Sequence, residues 1–464
     1  MNTRKILRPS VFCKRYILGV LNGVRFAALV LATVASCRTA AADPQSWVTE
    51  NVASLVKMYQ QLHQAPELSR QEEKTAARLA VELKAAGFDV TTGVGGHGVV
   101  GVLKNGRGKT LMIRTDLDAL PVAEETGLQY ASTVRARDQR GATVGVMHAC
   151  GHDLHMTNLI GVARYLASHR DEWSGTLLFV GQPAEELGSG ARAMLEDGLF
   201  RRFPLPDYAV ALHVAADLAC GKIEYLAGYA QANVDSVDIL VKGRGGHGAS
   251  PDTTIDPIVI AARLVLDLQT IISRELKPID PAVITVGSIH GGSKHNIIGD
   301  ECKLQLTVRS YTPEVRAKLL AAIRRKASAA AASSAAPEPV VEVSEGTPAL
   351  YNDPALMDRV VKALRGAIGE TNVVEAKPSM GGEDFSEYGL AGVPICMFKL
   401  GVVDQSRLDE FAGRKEPPPS LHSPLFYPNA EAGLRVGIPA MIAIAENLLP
   451  PQSKAPKNKS NDAE

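Results

Sequence analysis

The sequence has no excess of charge of either sign: 50 Lys plus Arg stand against 50 Asp plus Glu over 464 residues. It therefore lacks the basic footprint by which proteins hold nucleic acid, and no nucleic-acid partner is expected. It also lacks a long hydrophobic run, since the apolar stretch Phe26–Ala35 is too short to span a membrane. Cysteine is scarce, at six residues, and widely spaced, which excludes the disulfide framework of small secreted scaffolds. No segment repeats. What is present, 45% hydrophobic and 22% charged residues, is the composition of an ordinary globular protein. At roughly 150 residues per domain the length gives two or three domains with ample core.

The charges are unevenly placed. The first 42 residues hold seven basic residues and no acidic one, and they include the short apolar run and, at their end, Ala40-Ala41-Ala42 before Asp43. That order is the pattern of a secretory leader, so the protein is expected to be exported, periplasmic or secreted. Val34-Ala35-Ser36-Cys37 also resembles a lipobox, which would leave Cys37 as a lipidated terminus. Without residues 1–42 the chain has 43 Lys plus Arg against 50 Asp plus Glu, a balance near −7, and keeps Cys150, Cys220, Cys302 and Cys396.

Periodicity outlines an α/β protein. Helical spacing (Leu55, Met58, Tyr59, Leu62; Ala76, Leu79, Ala80, Leu83) gives way to strands at 99–103 and 110–114. A helix over 156–168, a strand over 176–180, a helix over 189–197 and a strand over 208–213 follow. Between 228 and 345 the order becomes strand, helix, strand, strand, helix, strand. This βαββαβ order is that of ferredoxin-like domains. The domains expected are a leader (1–42), a catalytic domain in two parts (43–227 and 346–449), an inserted domain (228–345) and a disordered tail (450–464).

Metal-assisted amide hydrolysis needs ligands converging from several strand ends, an open coordination position for water and a carboxylate to take that water's proton. Met147-His148-Ala149-Cys150-Gly151-His152-Asp153 places a thiol and an imidazole two residues apart, able to face one side of an extended loop. In Gln182-Pro183-Ala184-Glu185-Glu186, after a strand, adjacent carboxylates would point to opposite sides, one to metal and one to its water. His213 closes another strand and His422 follows the last one. Singly, a strand-end His reads as a structural residue and a Glu pair as a solvated face. Together they stand where α/β sheets place their sites.

The blocks resemble the co-catalytic metallohydrolases that include aminoacylases, glutamate-type carboxypeptidases and diaminopimelate-type deacylases. They are closest to the amidohydrolase branch with hippurate hydrolase and the auxin amino-acid conjugate hydrolases. The resemblance rests on Arg114 to Pro121, His148 to His155, Gln182 to Glu186, Leu212-His213, Gly245-Gly246-His247 with Pro251, Asn296 with Asp300, Met380 to Phe385 and Leu421 to Pro424, in family order. It implies an α/β catalytic domain of the zinc-exopeptidase type with an inserted ferredoxin-like lid that dimerises.

The ligands it implies are Cys150, His152, Glu186, His213 and His422, around two divalent ions. Manganese, zinc, cobalt and nickel all remain open, because a thiolate favours softer ions while the branch also uses harder ones. Glu185 is implied as general base toward the metal-bound water, Asp118 as the carboxylate that orients a ligating imidazole, and His247 as the oxyanion donor. Asp116 competes with Asp118 for its role, while His148 and His155 are read as structural residues or as partners behind the ligands. Asn296 is implied as a substrate contact. Arg309 is a candidate for the substrate carboxylate, with a solvent-facing strand Arg as its rival reading. Substrates would be small N-acyl amino acids, with a dipeptidase or carboxypeptidase on the same scaffold as the alternative. A nucleophilic Cys150 has no orienting third group, and a non-catalytic binding module would not have kept the whole donor set. Relatives commonly have Trp-Pro where Ala215-Ala216 stands, His in place of Asp252, acidic residues after Pro424 and a proline turn after Asn296. These departures bear on pocket shape.

Overall fold

The computed structural model describes residues 43–452. The leader 1–42 and residues 453–464 of the tail lie outside the described residues. No helix among the described residues is long and apolar enough to cross a membrane.

Four helices begin on the same local device: Asp43-Pro44, Asp256-Pro257, Thr312-Pro313 and Asp353-Pro354 place a side-chain oxygen at the N-cap and proline in the first turn. The cap accepts otherwise unpaired backbone N–H groups, and proline sits where its missing N–H costs nothing.

The larger sheet has eight strands, in spatial order Asp89–Val94, Gly98–Asn105, Gly175–Gln182, Thr110–Asp116, Tyr208–Ala219, Ile395–Val403, Ile223–Tyr225 and Val373–Glu375. The four central strands, from Gly175–Gln182 to Ile395–Val403, run parallel. Both faces are covered, so these strands read as nearly continuous apolar runs. Leu177 and Phe179 enter one core with the helices Pro44–His63, His152–Ser168 and Ala430–Leu448, while Leu178 and Val180 enter the opposite core with Met194 and Tyr388.

Residues 233–345 form a second sheet with a core of its own. Its order is Ala282–Gly291, Glu301–Ser310, Asn233–Lys242 and Val340–Glu345, antiparallel throughout. The helices Pro257–Thr270 and Pro313–Ala332 pack on it through Leu264, Leu268, Leu319 and Ile323. The two segments joining it to the larger sheet, Gly228–Gln231 and Leu350–Asn352, pair antiparallel with each other.

Candidate metal centre

The expected donors converge at the carboxyl ends of the central parallel strands. Cys150, His152 and His213 present donor atoms within 4.8 Å of one another, and so do Cys150, Glu186 and His422. The two triads share the Cys150 sulfur. His152 Nε2 lies 3.7 Å from Asp116, 3.9 Å from Glu185 and 3.8 Å from Glu186, and His422 Nε2 lies 3.5 Å from Glu186.

Local geometry differs from the expectation at four points. Cys150 and His152 are not in an extended loop: His152 begins the helix His152–Ser168, and Gly151 turns the chain at φ 79°. A Cβ there would also lie 2.6 Å from Val214, so only glycine lets thiol and imidazole meet beside the Tyr208–Ala219 strand. Glu185 and Glu186 do not point to opposite sides. The strand ends at Gln182, Ala184 turns the chain at φ 50°, and in the turn that follows both carboxylates lie beside His152. Strand alternation does not hold in a turn. His213 does not close its strand, which continues to Ala219. Finally, His152 Nδ1 bonds the Asp118 carbonyl at 2.8 Å, whereas the nearer Asp118 carboxylate oxygen lies 3.6 Å away. The other carboxylate oxygen accepts from the Ser69 hydroxyl and the Glu186 N–H, so Asp118 braces a ligand segment as well as the ring.

The cluster has the chemistry of a cation site. His152 Nε2, Glu186 Oε1 and Asp118 Oδ1 are buried without a hydrogen-bond partner, an expensive state unless an ion satisfies them. Burial, with Glu186 and Glu185 nearby, pushes the Cys150 thiol well up. That environment suits a thiolate formed on metal binding and opposes a free nucleophile. Glu185 is also driven well above the usual carboxylate range, by burial and by Glu383, Glu186 and Asp384 around it.

Sequence reasoning missed how the site's floor is built. The buried Arg114 guanidinium donates to Asp116 at 2.8 Å, Glu383 at 2.9 Å, Asp384 at 3.1 Å and Gln182 at 3.0 Å. Asp116 in turn holds His155 Nδ1 at 2.7 Å, and His155 Nε2 accepts the Val214 N–H. Burial raises Asp116, but His152, His155 and Arg114 outweigh it and hold the carboxyl well below its ordinary range. The usable signal was the pairing of one strand Arg with the acidic pair Glu383-Asp384, both inside blocks already singled out.

A cleft of about 830 Å³ opens on the cluster, lined by Glu185, Glu186, His213 and His422 from the larger sheet's side and by Arg309 from the second sheet. Arg309 is half-buried, bonding Thr307 and the Met380 carbonyl. His247 and Asn296 do not line this cleft. They lie exposed on the second sheet's side, where Gly248 N–H donates to the Asn296 carbonyl.

A soft–hard donor cluster with orphaned atoms, opening on a cleft at strand ends, defines a metallohydrolase-type centre. The chain belongs to Peptidase family M20/M25/M40, whose sequence profile matches residues 112–412. It is 36% identical to Thermostable carboxypeptidase 1 of Saccharolobus solfataricus over 357 residues, 76% of this chain and 87% of that one. It is also 36% identical to N-acetyl-L-cysteine deacetylase of Bacillus subtilis over 338 residues, covering 72% and 77% of the two chains. Among solved structures it resembles the Bacillus subtilis YXEP protein, described as a dinuclear metal binding peptidase of this family. The TM-score is 0.72 at 29% identity, covering 87% of this chain and all of the other.

Proposed function

We propose that the protein hydrolyses the amide bond of small N-acyl amino acids, with two divalent ions held by Cys150, His152, Glu186, His213 and His422. The observation that carries this reading is the pair of donor triads sharing Cys150, with three buried polar atoms left unsatisfied beside them. The solved relative described as dinuclear metal binding supports the same count. Each of the two donor triads would hold one ion, with Cys150 common to both groups. When bound, the ions supply Lewis acidity toward the scissile carbonyl and toward water.

The remaining chemistry belongs to the chain. Glu185, 3.9 Å from His152 and crowded by carboxylates, is placed to take a proton from water and return it to the departing amine nitrogen. Arg309, in the same cleft, holds the substrate carboxylate.

The second sheet serves as a ferredoxin-like lid and dimerisation domain. Its outer strand Ala282–Gly291 is an edge, with Ile289 exposed, and Leu266 is exposed on the Pro257–Thr270 helix. An unpaired strand edge with apolar neighbours is a template for a second copy. Pairing there would let His247 of one chain act as oxyanion donor at the other chain's cleft. The leader pattern of residues 1–42 supports export from the cytoplasm.

The carboxypeptidase relative favours a second reading, peptide hydrolysis at the same centre. A panel of N-acetyl, N-benzoyl and indole-acyl amino acids beside dipeptides, assayed with manganese, zinc, cobalt and nickel, separates the two. Faster turnover of the acyl amino acids supports the first reading. Faster turnover of dipeptides overturns it in favour of the second.

A further inference from the structure

A buried charged triad lies outside the metal cluster. His63, the last residue of the helix Pro44–His63, is 1% exposed, and its two ring nitrogens meet two carboxylates: Nδ1 to Asp153 at 2.7 Å and Nε2 to Glu124 at 3.1 Å. Facing two acceptors, the ring must carry both protons. It therefore ties together two segments far apart in sequence.

One carboxylate, Asp153, follows His152 directly. The other, Glu124, belongs to the irregular strap 121–132. Glu124's remaining bonds, from the Thr126 hydroxyl and the Ser132 N–H, stay inside that strap. His63 is thus the side chain that ties this carboxylate to the helical layer. The next residue continues the chain of contacts, since Glu125 N–H donates to the Pro424 carbonyl at 2.9 Å.

Pro424 is two residues past His422, which sits in a left-handed conformation at φ 69° with its side chain 54% exposed. A non-glycine residue stays in that region only where its surroundings hold it. On one side, His422 N–H donates to the Ala149 carbonyl at 2.9 Å, and on the other stands the Glu125–Pro424 bond.

Resting on the dimetal reading above, we infer that His63 is a positioning residue for His422, acting through Glu124 and the strap to hold that imidazole in the triad with Cys150 and Glu186. The triad with His152 and His213 does not depend on it in the same way. Asp153 is fixed independently by the Leu154 N–H, and the helix carrying His152 is packed along its length.

The test is a titration of metal-free full-length protein with cobalt(II), following the visible spectrum of the thiolate-bound ion, for wild type, H63Q, H422A and the double variant. Wild type should bind two equivalents. H422A should weaken one of them, and H63Q should weaken the same one by about 10- to 100-fold, the range seen when a partner behind a ligand is lost. The double variant should be no weaker than H422A alone, since both changes remove one arrangement. Should H63Q not fold, E125P removes the amide donor to the Pro424 carbonyl at an exposed position and should produce the same selective loss. Two cobalt equivalents bound to H63Q with wild-type affinity overturn the inference, as do single effects that multiply in the double variant. Wild type binding fewer than two equivalents, or H422A binding as wild type does, would instead overturn the dimetal reading itself.

Discussion

Arg114 is the cation at the centre of a buried carboxylate cluster. Its guanidinium is fully enclosed and serves Asp116, Glu383 and Asp384 at once. Removing it strands three carboxylates away from water, a change that costs about 3–5 kcal/mol where a buried ion pair loses one partner. R114M should therefore lower the urea midpoint of unfolding sharply, whereas substitution of an exposed arginine such as Arg414 should leave it nearly unchanged. His63 gives a signature in pH. Burial alone would lower its pKa, but the hydrogen bonds with Asp153 and Glu124 outweigh burial and raise it from 6.5 to about 10. A proton held more tightly in the folded state stabilises fully below pH 6.5, and that stability is lost as pH rises through about 10. Unfolding free energies measured between those limits should decline with pH in wild type, and the decline should be shallower in H63Q.

At the scale of elements, the turn at Gly151 sets how thiol and imidazole meet. G151A would force a side chain into a left-handed backbone and against Val214. A loss of about 1–3 kcal/mol in chemical denaturation, with weakened metal binding, is expected. The same turn shows what sequence reasoning reaches and what it does not. The succession of strand, helix, strand, strand, helix and strand within residues 233–345 was legible because the apolar period follows burial there. The candidate donors Cys150, His152, Glu186, His213 and His422, which the fold does bring together, were legible as residue types. Their geometry was not, because it depends on left-handed residues at Gly151, Ala184 and His422, where neither strand nor helix period applies. The Arg114 floor and the His63 triad stayed hidden for another reason. Their partners are 269 and 90 residues away, and nothing local marks such pairs.

For the whole molecule, the two sheets divide the work. The candidate donors cluster beside the larger one, and Arg309 of the second lines the same cleft. If the edge strand Ala282–Gly291 carries the dimer, the double variant L266E/I289K should elute as a monomer in size-exclusion chromatography. It should also lose turnover while retaining metal, because His247 would no longer reach a second cleft. The central claim is narrower: amide cleavage at this cluster with Glu185 as its base. It is tested most directly by measuring metal content and kcat for an N-acetyl amino acid on wild type and E185Q loaded with the same ion. The account predicts equal metal in both proteins and a kcat lower by about 10²- to 10⁴-fold in E185Q. Equal metal with undiminished kcat would contradict it.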